Sequence, residues 1–238
     1  DGTVRLWDTD EGKLLMNLTD PDGSVWSVAF SGEDSSCSSG DEAGYVRMIS
    51  IERGKATNVL KAHTDRVTCI RAIPGLRFVT TSFDGTVRLW AARADHAEVL
   101  LTRHSGAVTS FAVSPDGATG VSCGFDGCLR LIDLKQEKAG PVFGETKGNY
   151  FSVAFVGPCE VMSVKDDGEV AIWRVPEGTL VRRMAGHHDA AWCAVSDGDG
   201  RAWTGGADNA VRCWNTENGK ELLLRPGHQH EVRSVTFS

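Results

Sequence analysis

The segment Asp1-Gly2-Thr3-Val4-Arg5-Leu6-Trp7 returns as Asp84-Gly85-Thr86-Val87-Arg88-Leu89-Trp90, and weaker copies stand between and beyond the two. The last position of the segment is held by Trp7, Ile49, Trp90, Ile132, Trp173 and Trp214, at steps of 42, 41, 42, 41 and 41 residues. A period this regular requires one small structural unit repeated along the chain. Side chains shared by every copy are then expected to hold the unit together, and functional side chains to sit where the copies differ.

One copy shows what the unit is made of. Val67-Thr-Cys-Ile-Arg-Ala72 is short, apolar and β-prone, and Pro74-Gly75 breaks it with turn chemistry. Arg77-Phe-Val-Thr-Thr-Ser82 follows, then the tight turn Phe83-Asp84-Gly85, then Thr86–Trp90 and Glu98-Val-Leu-Leu101. No stretch has helical periodicity. Four short strands per roughly 40 residues, joined by hairpins, is the pattern of a propeller blade.

With a Gly-His-type opening, a Ser/Thr in the second strand, Asp-Gly at the turn and Trp ending the third, the unit resembles a WD40 (WD-repeat) blade over essentially the whole chain. The resemblance implies an all-β WD-repeat β-propeller. With strands labelled a to d, the reading is one WD-repeat region over 1–238: a partial blade at 1–18, blades at about 19–60, 61–101, 102–143, 144–184 and 185–225, and a partial blade at 226–238. That makes 23 strands, one fewer than six four-stranded blades need, so a longer parent with seven or more blades is expected.

The resemblance also implies a hydrogen-bonded set in each blade: His before strand a, Ser/Thr on strand b, Asp at the b–c turn, Trp on strand c. Two sets are complete, His63, Thr80, Asp84 and Trp90, and His187, Thr204, Asp208 and Trp214. His104, Ser122 and Asp126 end in Ile132, and Ser163, Asp167 and Trp173 have Thr146 in place of His. The poorest has Ser39 with Pro21, Ala43 and Ile49. Blades with gaps in the set, around Ser39 and Ser163, are expected to be less rigid. Ser/Thr, His and Asp are also ingredients of nucleophilic catalysis, and Gly120-Val-Ser122-Cys-Gly124 matches a nucleophile pattern. Recurrence from blade to blade and a strand context for Ser122 favour the structural role, and no catalytic residue is assigned.

No Cys-x-x-Cys pair, spaced His set or phosphate loop is present, so no metal or cofactor is expected. His187-His188 fall on opposite sides of an extended chain, and Asp197-Gly-Asp199-Gly-Arg201 reads as a hairpin turn. The net charge of −7 disfavours nucleic acid as a partner, and no apolar run is long enough to span a bilayer. Seven cysteines are an odd number, and Cys69 and Cys193 share a position with Ser27, Ser110, Ser152 and Ser234. This points to small buried thiols in an intracellular setting, cytoplasmic or nuclear, rather than to a disulfide framework. Arg5, Arg47, Arg88, Arg130 and Arg212 share a strand-c position, where the stem is expected to pack and the head to reach carboxylates or water.

In proteins of the family it resembles, partners dock on the face made by the d–a and b–c loops, so a protein or peptide is the expected partner. The residue before the turn Asp is Glu42, Phe83, Phe125, Asp166 or Ala207. Phenylalanine at a normally polar turn position either anchors a partner or tucks into a cleft between blades. Arg66, Arg103 and Lys147 fall near the two phenylalanines, with Asp20, Asp22, Asp41 and Glu42 on the preceding blade. Such a face suits a peptide with an apolar anchor beside acidic residues. Trp26, Phe151 and Trp192 share a strand-a position and are expected to pack in the core. The expected function is a non-catalytic scaffold. The alternatives are a regulatory or targeting region of a larger protein and, less favoured, a propeller enzyme.

Overall fold

A computed structural model of the chain describes residues 2–19, 23–30, 36–75, 77–91, 98–145, 147–184 and 186–236. Asp20, Pro21, Asp22 and Thr146 lie outside them. The described residues form 22 strands and no helix, and none of them lies in a helix long and apolar enough to cross a membrane. The chain clusters into two compact units, residues 1–103 and 104–238.

The first unit holds three sheets. A two-stranded ladder pairs β1 (Thr3–Asp8) with β2 (Lys13–Thr19). Next comes the antiparallel order β3 (Val25–Phe30), β4 (Ser36–Asp41), β5 (Tyr45–Ser50), β6 (Lys55–Lys61). The third sheet repeats it with β7 (Val67–Ile73), β8 (Arg77–Ser82), β9 (Thr86–Ala91) and β10 (Glu98–Arg103). The second unit holds three more four-stranded sheets of the same order. They are β11 (Val108–Val113) to β12 (Thr119–Gly124), β13 (Leu129–Asp133) and β14 (Lys138–Phe143); β15 (Tyr150–Gly157) to β16 (Glu160–Lys165), β17 (Val170–Arg174) and β18 (Thr179–Met184); and β19 (Ala191–Ser196) to β20 (Arg201–Gly206), β21 (Ala210–Asn215) and β22 (Glu221–Pro226). These are blade-like sheets of the WD-repeat propeller type.

The b–c turns follow from local chemistry. In four of them the glycine N–H donates to a carbonyl three residues back, Gly44 to Asp41, Gly85 to Ser82, Gly127 to Gly124 and Gly168 to Lys165. Each of these glycines has positive φ, and Asn209 takes the equivalent place at φ 60°. A tight turn followed by a left-handed residue brings strands b and c back into register, and only Gly or Asn adopts that conformation readily.

The core lies between successive sheets of each unit. In the first, Val46 and Leu60 pack against Val67, Ile70, Phe78 and Trp90. In the second, Val121, Leu129 and Leu131 pack against Tyr150, Val153 and Val161, and Met162, Val164 and Ile172 against Ala191, Ala202 and Trp214. The strands b are buried on both faces, so the polar residues they carry must find partners inside the protein.

One expectation fails at the C-terminal end. Residues 226–238 read as a further strand a, but after β22 ends at Pro226 no described residue is in a strand. Val232 instead donates one backbone hydrogen bond to the Gly206 carbonyl and buries its side chain over Gly205. A strand requires a ladder, and no described segment pairs with this one.

Candidate functional site

The repeated polar set forms as a buried relay. Trp90 Nε1–H donates to Thr80 Oγ1 at 2.8 Å, and Thr80 Oγ1 lies 2.7 Å from His63 Nε2. His63 Nδ1 lies 3.0 Å from Asp84 Oδ2. His187, Thr204, Asp208 and Trp214 repeat it at 2.8, 2.8 and 2.9 Å. His104, Ser122 and Asp126 make the same two histidine contacts at 2.8 Å, with buried Ile132 in the tryptophan place. A carboxylate only accepts, so the proton facing it belongs to Nδ1, and Nε2 of the neutral ring accepts from the hydroxyl.

Burial pushes the His104 and His187 pKa values below the usual 6.5, against the pull of Asp126 and Asp208. Burial alone would raise the Asp84 carboxyl, but hydrogen bonds from His63 and Thr86 overcome it and hold that carboxyl far below the ordinary range. Asp126 and Asp208 are likewise lowered, burial being outweighed by the bonds to His104 and His187. Ser122, Thr80 and Thr204 are wholly buried, so the Ser-His-Asp geometry faces packed side chains and not solvent.

Two sheets fill the same slot differently. In β3–β6, Asp41 at the end of strand b is fully buried; its Oδ1 accepts the Tyr45 N–H at 2.8 Å and its Oδ2 accepts from Arg47 Nη1 at 2.5 Å. Asp41 thus does the work of the turn aspartate that Ala43 lacks: Asp126 and Asp208 take Arg130 and Arg212 the same way, at 3.1 and 3.2 Å. Ser39 Oγ, buried beside it, has no hydrogen-bond partner among the described residues.

In β15–β18, Trp173 Nε1–H still donates to Ser163 Oγ at 2.8 Å. Tyr150 is fully buried and its phenol oxygen accepts the Glu145 N–H at 3.1 Å. Buried Lys165 places Nζ 3.6, 3.7 and 4.0 Å from Glu145, Asp167 and Glu169 carboxylates. Arg183 joins the cluster, pairing with Glu145 and with Glu169. Burial raises the Glu169 carboxyl above its ordinary value.

The candidate partner-binding residues fall into separate groups. In the first unit, the Arg66 guanidinium lies between two rings, 3.9 Å from the Trp26 centroid and 4.8 Å from that of Phe83. Arg66 also donates to Glu42 Oε1 at 3.1 Å. Phe83 is half-buried, and Arg103 is exposed at the end of β10. In the second unit, Phe125 meets Phe151 edge-on at 5.6 Å, Phe151 meets Trp192 at 4.3 Å, and Arg233 lies 4.8 Å over Trp192. Lys147 is exposed, and Asp166 is held by Asn149 at 2.9 Å.

Phe83 and Phe125 therefore each sit in an aromatic–cation cluster of their own unit. Trp26, expected in the core, is 50% exposed even with the Arg66 guanidinium carbon 3.9 Å from its ring centroid. The linkage of Phe125 to Phe151 and of Arg66 to Trp26 was readable only as a shared strand-a position. Among the described residues no three His, Cys, Asp or Glu side chains group as metal ligands, and no disulfide links the seven cysteines.

The family described as "WD domain, G-beta repeat" matches residues 54–91, 97–133 and 178–215. Over 186 residues the chain is 27% identical to mouse Transducin-like enhancer protein 2, covering 74% of this chain and 24% of that protein. Over 234 residues it is 25% identical to the Arabidopsis thaliana DENN domain and WD repeat-containing protein SCD1, covering 88% of this chain and 19% of that protein. The chain thus spans about a quarter and a fifth of the length of these relatives. Three stretches of the chain thus match WD40 repeats, and each carries one of the buried relays described above.

Proposed function

We propose that this chain is a non-catalytic interaction platform that binds a protein or peptide through the turn end of its blades and helps assemble a complex. The observation that carries the reading is the pair of aromatic–arginine clusters at the b–c turns and strand-a starts, where Trp26 and Phe125 keep 50% and 38% of their surface exposed. Large half-open rings beside cations are the side chains that anchor partners. The hydroxyl, imidazole and carboxylate groups that could do chemistry are spent in buried relays, which supports a binding role over a catalytic one. The proposed partner-binding residues are Glu42, Arg66, Phe83 and Arg103 in the first unit and Phe125, Lys147 and Asp166 in the second.

A second reading, a regulatory or targeting region within a larger protein, is favoured by one specific observation: the relatives are several times longer, and one is named for a DENN domain beside its WD repeats. Phe83→Ala with Phe125→Ala should leave folding intact and weaken capture of a partner in a pull-down from cell extract. Undiminished capture by the double variant would remove the two rings from the proposed face.

A further inference from the structure

Arg66 is a half-buried cation of the first unit that contacts two aromatic rings and a carboxylate. Its guanidinium carbon lies over the Trp26 and Phe83 rings, 3.9 and 4.8 Å from their centroids, and two aromatic contacts restrict how the side chain can move. Its Nε is buried without a hydrogen-bond partner among the described residues, so its outward polar contact is the Nη2 bond to Glu42. Glu42 is held loosely by comparison: its side chain is 49% exposed against 24% for that of Arg66. An ion pair this open to water contributes about 0–1 kcal/mol. The cation is pre-organised and its acid is replaceable.

We infer that Glu42 is a placeholder, and that the occupant of the Arg66–Trp26 surface is an acidic peptide whose Asp or Glu carboxylate takes the place of Glu42 on Arg66 while a neighbouring apolar side chain covers exposed surface of Trp26. This rests on the platform reading above and names its ligand chemistry. Charge complementarity selects the occupant: a carboxylate replaces the interaction that Glu42 gives up, whereas a basic peptide would meet a like charge. The apolar residue supplies what Glu42 cannot, burial of the exposed indole. Because the arginine is already ordered by its two rings, little rotamer entropy is lost when the carboxylate binds.

The test is selection of a phage-displayed library of random peptides on the immobilised chain, followed by fluorescence-polarisation titration of one enriched peptide. The expected peptides carry Asp or Glu next to an aromatic or large aliphatic residue. Glu42→Gln should bind the peptide about threefold tighter by removing the competitor. Arg66→Met, which keeps the apolar stem between the rings, should bind about tenfold weaker with an unchanged melting temperature. Arg66→Lys should fall with Arg66→Met, because a lysine neither stacks nor presents a planar edge. Enriched peptides without an acidic residue, or Glu42→Gln binding no tighter, would overturn the inference. Peptides that depend on Phe125 and ignore Arg66→Met would overturn it while leaving the platform standing, and a library with no binder would sink both.

Discussion

Sheets β3–β6 and β7–β10 belong to the same unit and share strand order and turn geometry, yet they satisfy their buried polar slot by different chemistry. In β7–β10 the slot holds a relay of indole, hydroxyl, imidazole and carboxylate, each group bonded to the next. In β3–β6 it holds the ion pair of Asp41 with Arg47, and the Ser39 hydroxyl has no hydrogen-bond partner among the described residues. The relay spreads its bonds over four groups, of which only the carboxylate is charged. The ion pair concentrates everything in two charges, so loss of either leaves a buried charge. What the two sheets share is the demand that a carboxylate brace the b–c turn, not the residues that meet it.

The sharpest way to break the comparison is Asp41→Ala, which removes the buried carboxylate paired with the Arg47 guanidinium and should cost about 3–5 kcal/mol in denaturant unfolding. Asp41→Leu combined with Arg47→Met should recover most of that loss, since a packed apolar pair is tolerated where half an ion pair is not. Thr80→Ala should come next, at about 2–4 kcal/mol, because it leaves the Trp90 N–H and His63 Nε2 without their shared partner. If Thr80→Ala proved the costlier, the relay and not the ion pair would be the concentrated element.

A pH titration separates the two chemistries further. The folded His104 and His187 have lowered pKa values, so the unfolded chain binds more protons as pH falls below about 6.5, and stability should decline there. A second loss should follow below about pH 3.8, as acid reaches the lowered carboxyls of Asp126 and Asp208. His187→Gln should flatten part of the first decline in unfolding midpoints measured between pH 7 and pH 5. The smallest effect belongs to Ala43→Asp. With Asp41 already bracing the turn, the restored aspartate should change stability by less than about 1 kcal/mol, well below the loss from Asp84→Ala.

The repeat made the strands, the turns and the complete relays legible, because each depends on residues close in one unit. It did not show how the gaps are filled. Yet a signal was present: the strand-b position two residues after the hydroxyl reads Asp41, Ser82, Gly124, Lys165 and Gly206. A Cβ at Gly206 would stand 2.4 Å from His187 Nδ1, so that position stays small where histidine is present. It becomes charged in the two blades where Pro21 and Thr146 replace histidine. The aromatic–arginine clusters carried no comparable sign. They join a strand-a ring to an arginine about one repeat further along the chain, Trp26 to Arg66 and Trp192 to Arg233, and which ring covers which cation is decided by packing.

The bond from strand-c tryptophan to strand-b hydroxyl has one consequence for watching this molecule move. The indole protons of Trp90, Trp173 and Trp214 are buried and each is engaged by its own blade. Each can exchange with deuterium only when that blade opens. The three indole protons would then act as three separate clocks, timing the opening of sheets β7–β10, β15–β18 and β19–β22 within a single sample.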